Sequence, residues 1–261
     1  MYGIPSARLL FLVIASTSVG SAWAQANPAG IDWQAVGSFS IARTETTVGQ
    51  FERFVVAKPL VTQAEHQGGG EVYEAGWVRK PGWSWRTPFG PQAPASTDEP
   101  AVHVTYDEAR AFCHWAGGRL PTDAEWTRAA YTEQRENPPA PFQNGRTYPF
   151  PTGATPVGAQ CLDDCGTAAA QRAVRHGARL LRGTGHALVT ATADGVNGLK
   201  DMGGNVWEWV DEPPGGHGAT QRVTRGGSWW YGAAQMRADH LQSKPGNTAA
   251  VYIGFRCVKA P

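Results

Sequence analysis

Near the C-terminal end of this 261-residue chain stand Glu208, Ser228, Arg237, Asp239 and His240, a set that could move protons. A carboxylate, a hydroxyl, a guanidinium and an imidazole supply the groups that general acid/base chemistry needs, and His240 has the ordinary pKa nearest neutrality. Ser228, His240 and Glu208 are therefore the candidate catalytic residues. A plainer reading pairs Arg237 with Asp239 across a loop. The 7 histidines form no His-x-His or His-x-x-x-His cluster, which argues against an imidazole-held catalytic metal.

Cysteine is the other chemistry-bearing residue. The chain has 4, Cys113, Cys161, Cys165 and Cys257, and an even number suits disulfides in an oxidising compartment. The short Cys161-Leu-Asp-Asp-Cys165 loop favours a local bond, leaving Cys113 for Cys257. As a redox or metal pair, Cys161 and Cys165 lack a histidine close by in sequence.

These residues sit in a chain of unusual make-up. Gly 32, Pro 19 and Trp 11 are high, and long periodic apolar segments are few, which favours a loop-rich fold with aromatic packing. Lys+Arg 23 against Asp+Glu 22 leaves a formal charge of +1 with no run of one sign, so neither nucleic acid nor an anionic membrane is an expected partner. Arg8, the apolar run Leu9 to Ala15 and the small-residue site Ala22-Trp23-Ala24 have the order of a secretory signal peptide. That run is shorter than the roughly 20 residues of a spanning helix. Residues 1–24 are thus expected to be a leader and 25–261 a single domain without a membrane span, periplasmic or secreted.

The elements that must position the chemistry are short. Gly37 to Ile41 alternates as a half-buried strand, and Thr46 to Ala57 has helical spacing, with Val48, Phe51 and Phe54 or Val55 on one face. Residues 58–100 predict an ordered loop belt. Thr105 with Glu108, and Thr122 with Glu125, are capping boxes that open helices ending near Ala116 and Tyr131. A second belt runs from about Glu133 to Val196, where Arg172 to Arg182 is a short helix or a solvated face. Strand-like pieces at Asn205 to Val210, Arg222 to Trp229 and Val251 to Val258 predict a mixed sheet closing beside the first strand.

Five segments, read in order, resemble one family. They are Thr44-Glu45-Thr46-Thr47-Val48, Gly118-Arg119-Leu120-Pro121-Thr122-Asp123-Ala124-Glu125-Trp126, Gly203-Gly204-Asn205-Val206-Trp207-Glu208-Trp209, Arg225-Gly226-Gly227-Ser228-Trp229 and Gly254-Phe255-Arg256-Cys257. Together they resemble the formylglycine-generating enzymes, or sulfatase-modifying factors, a group that includes ergothioneine sulfoxide synthases and a pyoverdine-maturation protein. The resemblance implies an α+β, C-type-lectin-like domain with two main helices, small mixed sheets and much irregular structure. It also implies the Cys113–Cys257 disulfide and a structural calcium on Asp201, Gly204, Val206 and Glu208. This donor set of carboxylates and main-chain carbonyls suits a hard cation.

The resemblance also marks an absence. The copper oxidases of this group carry two cysteines shortly after the Arg-Gly-Gly-Ser motif, since soft thiolates hold Cu(I). Their places fall at about Tyr231 and Met236, with no cysteine between Ser228 and Arg256, so no copper is expected. Nor is there room for the added helical domain whose histidines bind iron in the sulfoxide synthases.

Two functions follow from different classes. As a binding module, the chain would use the family's groove, with Trp83, Trp85, Arg86, Trp229, Trp230, Tyr231, Arg237 and Asp239 as candidates and Gln235, His240, Gln242 and Lys244 in the same loop. Aromatic and Arg side chains are the usual anchors of such surfaces. Relatives of this kind imply an accessory or regulatory role toward a protein or peptide in the cell envelope, for example in type VI secretion signalling. The alternative is a copper-independent enzyme of oxidative maturation, acting on a peptide or siderophore-like substrate. Each aromatic taken singly could instead pack a loop.

Overall fold

Among the described residues, four of the five α-helices begin at a threonine whose side chain accepts from the main-chain N–H three residues on, while the glutamine or glutamate there accepts from the threonine N–H. That reciprocal bond satisfies two of the donors a helix start leaves free. α1 (Val48–Ala57) follows Thr47, and buries Val48, Phe51 and Phe54. α2 (Gln63–His66) follows Thr62, inside the segment expected to be an irregular belt. α3 (Tyr106–Trp115) and α4 (Asp123–Tyr131) follow Thr105 and Thr122, as the two capping boxes predict. α5 (Ala169–Arg172) is a single turn, and the basic stretch beyond Arg172 forms no helix. The computed structural model describes Met1 and residues 27–212 and 220–261; the expected leader lies outside the described residues from its second position onward.

Three small sheets complete an α+β architecture. β1 (Trp33–Val36), β2 (Phe39–Ala42) and β9 (Val258–Lys259) form an antiparallel sheet with β2 central. β3 (Glu71–Tyr73) and β4 (Trp77–Arg79) form a hairpin. β5 (Trp207–Val210), β6 (Gln221–Arg225), β7 (Gln242–Pro245) and β8 (Ile253–Gly254) form a sheet of order β7-β6-β5-β8, mixed because β5 and β8 run parallel. The expectation of one sheet closing beside the first strand is corrected here. After β8 the chain turns through Phe255, Arg256 and Cys257 and pairs again as β9 with β2, so the C-terminus joins two sheets.

The main core lies between α1, α3 and the four-stranded sheet. Phe51 contacts Phe112 at 5.9 Å and Trp85 at 5.2 Å, and Phe112 contacts Phe255 at 5.3 Å. The Cys113–Cys257 disulfide fastens α3 to the last turn before β9, across 144 residues of sequence. Cys161–Cys165 closes the small loop between α4 and α5. Both bonds are the expected ones, and no cysteine is free. Among the described residues no helix is long and apolar enough to cross a membrane.

His103 is built into this core. Its backbone has φ 58, its ring lies beside the Pro88 and Ala249 carbonyls at 3.0 and 3.2 Å, and its pKa falls from 6.5 to about 4 because burial disfavours the cation. In the range between those two values the unfolded chain holds the proton and the folded chain does not. Stability from His103 is therefore complete above about pH 6.5 and is lost as the pH falls toward 4, by about 3 kcal/mol. Urea titrations at pH 7 and 4.5 should show a smaller loss of stability for His103→Gln than for the parent. Equal losses would show that His103 does not carry this dependence.

Candidate functional site

β5 divides the site because successive strand residues point to opposite faces. Trp207 and Trp209 face one way and Glu208 the other. On the Glu208 side the groups are polar and wholly buried. Arg256 meets Glu208 with two hydrogen bonds of 2.6 and 2.7 Å, and the Trp126 indole N–H of α4 donates to the same carboxylate at 2.7 Å. The remaining Arg256 donors reach the carbonyls of Ala42, Arg43 and Lys200. Beside them Glu45 accepts from the Asn205 side chain at 2.7 Å and the Val206 N–H at 3.0 Å, and Asn205 Oδ1 accepts from the Ala187 N–H. Burial first, then the charges of Asp201 and Glu208, hold the Glu45 carboxyl well above the usual carboxylate range.

The Trp207 side is aromatic. Tyr231 lies 5.6 Å from the Trp207 ring, His240 5.8 Å and the Lys244 amine 5.0 Å. Tyr231 continues to Tyr252 at 6.1 Å, Tyr252 to Trp230 at 5.6 Å and to Trp77 at 6.4 Å, and Trp77 to Tyr73 at 5.6 Å. The Arg182 guanidinium stands 5.4 Å over both Trp230 and Tyr231. Trp77 is 48% exposed and Tyr73 45%, so the series climbs from a buried floor to the surface.

The proposed acid/base cluster does not assemble. Glu208 is bound to Arg256 and Trp126, whereas His240 packs on Trp207, across the strand from it. Ser228 is buried, with its Oγ accepting from the Trp230 N–H at 3.4 Å. Arg237 and Asp239 form an exposed pair at 3.5 Å, as the plainer reading had it. The groove candidates also divide. Trp85 is wholly buried against Phe51, a core residue rather than a groove wall, and Arg86 covers its face at 4.0 Å while pairing with Glu52 and Glu65. Trp83 is buried too, beneath a cleft of about 360 Å³, and Phe89 connects it to Trp229 through ring distances of 6.0 and 6.1 Å. Trp230 and Tyr231 join the aromatic face, and Trp229 backs it from the core, 5.4 Å from Trp230 and 6.3 Å from Tyr252.

Sequence reasoning missed Tyr73, Trp77, Arg182 and Tyr252 as members of this surface. The signal for the first two was present in Val72-Tyr73-Glu74-Ala75-Gly76-Trp77-Val78, where alternating apolar residues flank a glycine turn.

Residues 17–261 match the model of the sulfatase-modifying factor enzyme 1-like domain. The chain belongs to that family. It is 31% identical over 263 residues to a formylglycine-generating enzyme of Thermomonospora curvata, covering 85% of this chain and 82% of the relative. It is also 31% identical over 253 residues to the inactive C-alpha-formylglycine-generating enzyme 2 of Mus musculus, covering 86% and 77%. Among solved structures, PvdO from Pseudomonas aeruginosa shares the fold with a TM-score of 0.56 at 19% identity, over 85% of this chain and 80% of that one.

Within this family member the two positions expected for copper cysteines have separate surroundings. Tyr231 lies on the aromatic face, while Met236 is buried, its Sδ 3.7 Å from Cys165 Sγ and its carbonyl accepting from the Tyr131 hydroxyl.

The calcium ligands implied by the family fit unequally. Asp201 is buried, and neither carboxylate oxygen makes a hydrogen bond of ordinary geometry among the described residues, although the Thr192 hydroxyl stands near enough to lower its pKa. It lines a cavity of about 10 Å³, the size of one water or one ion. Burial raises its pKa to about 7, the Glu208 charge adding to the rise against Thr192, Arg256 and Lys200. Asp201, Gly204 and Asn205 have φ of 55, 84 and 50, and a Cβ on Gly204 would lie 2.5 Å from the Gln160 carbonyl, so that close turn requires glycine. Glu208 fits less well, since both its oxygens already accept from Arg256. The described residues contain no group of three His, Cys, Asp or Glu side chains arranged for a metal.

The Glu208–Arg256 pair makes a test of what anchors the site. Glu208→Gln leaves a buried guanidinium without its counter-charge and should cost about 3 to 5 kcal/mol in urea unfolding. Adding Arg256→Met should restore part of that loss, because the stranded charge is gone. A cost for the single variant below about 1 kcal/mol would show that the pair is not structural.

Proposed function

We propose that the protein is an exported binding or accessory member of the family, periplasmic or secreted, that recognises a protein or peptide partner in the cell envelope and does not oxidise cysteine with copper. The observation that carries this reading is Tyr231. At about the place where the family resemblance puts a copper thiolate of the oxidases, its ring packs between Trp207 and Tyr252 as part of an aromatic face that runs out to Trp77. Aromatic rings with an arginine across them form the commonest energetic centres of protein interfaces. Two disulfides are compatible with an oxidising compartment. An envelope signalling role, such as that of type VI secretion, is one setting for such a module.

The copper-loaded protein, given a sulfatase-type cysteine peptide, should yield no formylglycine by mass spectrometry. A phenol whose pKa burial raises further, and a thioether, do not replace two thiolates for Cu(I). Conversion faster than that of a Ser228→Ala variant would overturn the accessory reading. For the partner, a photo-crosslinker at Trp77 should give a discrete envelope adduct that Tyr231→Ala abolishes, with none from the exposed Val56. Equal adducts from both positions would remove the aromatic face as the recognition surface.

Calcium belongs to the same proposal as a structural ion at the Asp201–Asn205 turn. Asp201 and the main-chain carbonyls of Gly204 and Val206 would hold it, with Glu208 contributing only beyond its bonds to Arg256. Chelation should lower the melting temperature, since an ion bound only to the native state stabilises it by mass action. Asp201→Asn should lose that response. An unchanged melting temperature, with no calcium in the purified protein, would retire the ion.

A further inference from the structure

Lys244 has surroundings that neither the fold nor the recognition surface requires. It lies on β7 in register with Arg222 of β6, is 6% exposed, and has its amine 5.0 Å over the Trp207 indole. Its hydrogen bond goes to the uncharged side-chain oxygen of Gln242. Among the described residues no carboxylate pairs with it, and residues 213–219 contain no acid. Buried lysines are ordinarily paired, because an uncompensated ammonium is costly away from water. Two groups able to handle protons meet the same indole: the Tyr231 phenol, and His240, whose Nε2 is buried without a partner. Gln242, Tyr231 and His240 are each partly exposed.

We propose that the Lys244 amine is a covalent capture site for an aldehyde, with which it condenses to a reversible imine. The amine lone pair attacks the carbonyl carbon, the carbonyl oxygen takes a proton, and the nitrogen gives one up, leaving a carbinolamine. His240 Nε2 or the Tyr231 hydroxyl gives the proton with which the hydroxyl leaves as water when C=N forms, and takes back the remaining N–H proton of the iminium to leave the imine. Nothing is oxidised or reduced. Burial lowers the Lys244 pKa to about 8, so part of the amine is free near neutrality. The titratable and charged groups around it are His240 and Tyr231 on the same indole, Arg222, its cross-strand partner in register, and Arg225, which donates to the His240 carbonyl.

The test treats the mature protein with propanal and cyanoborohydride at pH 7.5, then maps propylated lysines by mass spectrometry over time. Lys244 should be labelled at least about ten-fold faster than the exposed Lys58, reflecting its larger free-amine fraction. Lys244→Arg should remove the fast adduct, and His240→Gln should slow it without lowering the melting temperature. Labelling of Lys244 no faster than Lys58, or labelling only after unfolding in guanidinium, would overturn the proposal. These outcomes are independent of whether an envelope partner binds at Trp77.

Discussion

Arg256 is a guanidinium with no exposed surface, and every part of the site is arranged around the need to neutralise it. Removing two ions from water costs several kcal/mol each, and the cost is recovered only with close geometry and satisfied donors. Here Glu208 takes two of the donors, and three main-chain carbonyls, of Ala42, Arg43 and Lys200, take the rest. Those carbonyls belong to the end of β2 and to the turn before β5. One side chain therefore fixes the three-stranded sheet, the four-stranded sheet and the Asp201–Asn205 turn relative to one another. The neighbouring Cys257 disulfide holds the main chain of Arg256 in place from the other direction.

That constraint separates structure from recognition. With Glu208 committed to Arg256, it is unavailable to His240, and the strand itself stands between them. The aromatic face on the Trp207 side makes no side-chain bond to this network: Trp207, Trp230 and Tyr252 belong to the buried core, while Tyr231, Trp77 and Tyr73 are the members that reach toward the surface. Tyr231 illustrates the point: a phenol there joins Trp207 and Tyr252 in edge-on contacts of the kind that stabilise aromatic clusters. The family framework persists while the chemistry at its surface changes.

What could be read from the sequence was what local chemistry determines. The capping boxes at Thr105 and Thr122 placed α3 and α4 closely, because the bonds involved span only three residues. The alternation of Trp207, Glu208 and Trp209 announced two faces. The motif order identified the family, and with it the fold. The partners of the faces were not legible, since Glu208 meets Arg256 across 48 residues and Asn205 meets Glu45 across 160. β7 was hidden for another reason. Gln242-Ser-Lys-Pro has no apolar alternation, and only its pairing with β6 makes it a strand. Trp85 resembled a groove residue because a tryptophan beside an arginine looks alike in a core and at a surface until Phe51 is placed against it.

Asp201 and Lys244 are buried ionisable groups with no ion pair among the described residues. The Asp201 carboxylate feels the Arg256 charge without bonding to it, and Lys244 has an amine bonded only to an amide oxygen. Neither arrangement helps the folded state, since each charge must be discharged or compensated to remain buried. Their pKa values move accordingly, up to about 7 for Asp201 and down to about 8 for Lys244, so both lie near the point of changing charge at neutral pH. A fold shaped for stability alone would fill such positions with apolar side chains of similar size. A cation at the carboxylate and a carbon electrophile at the amine, the two ligands proposed above, would each relieve that condition by taking the place of the proton.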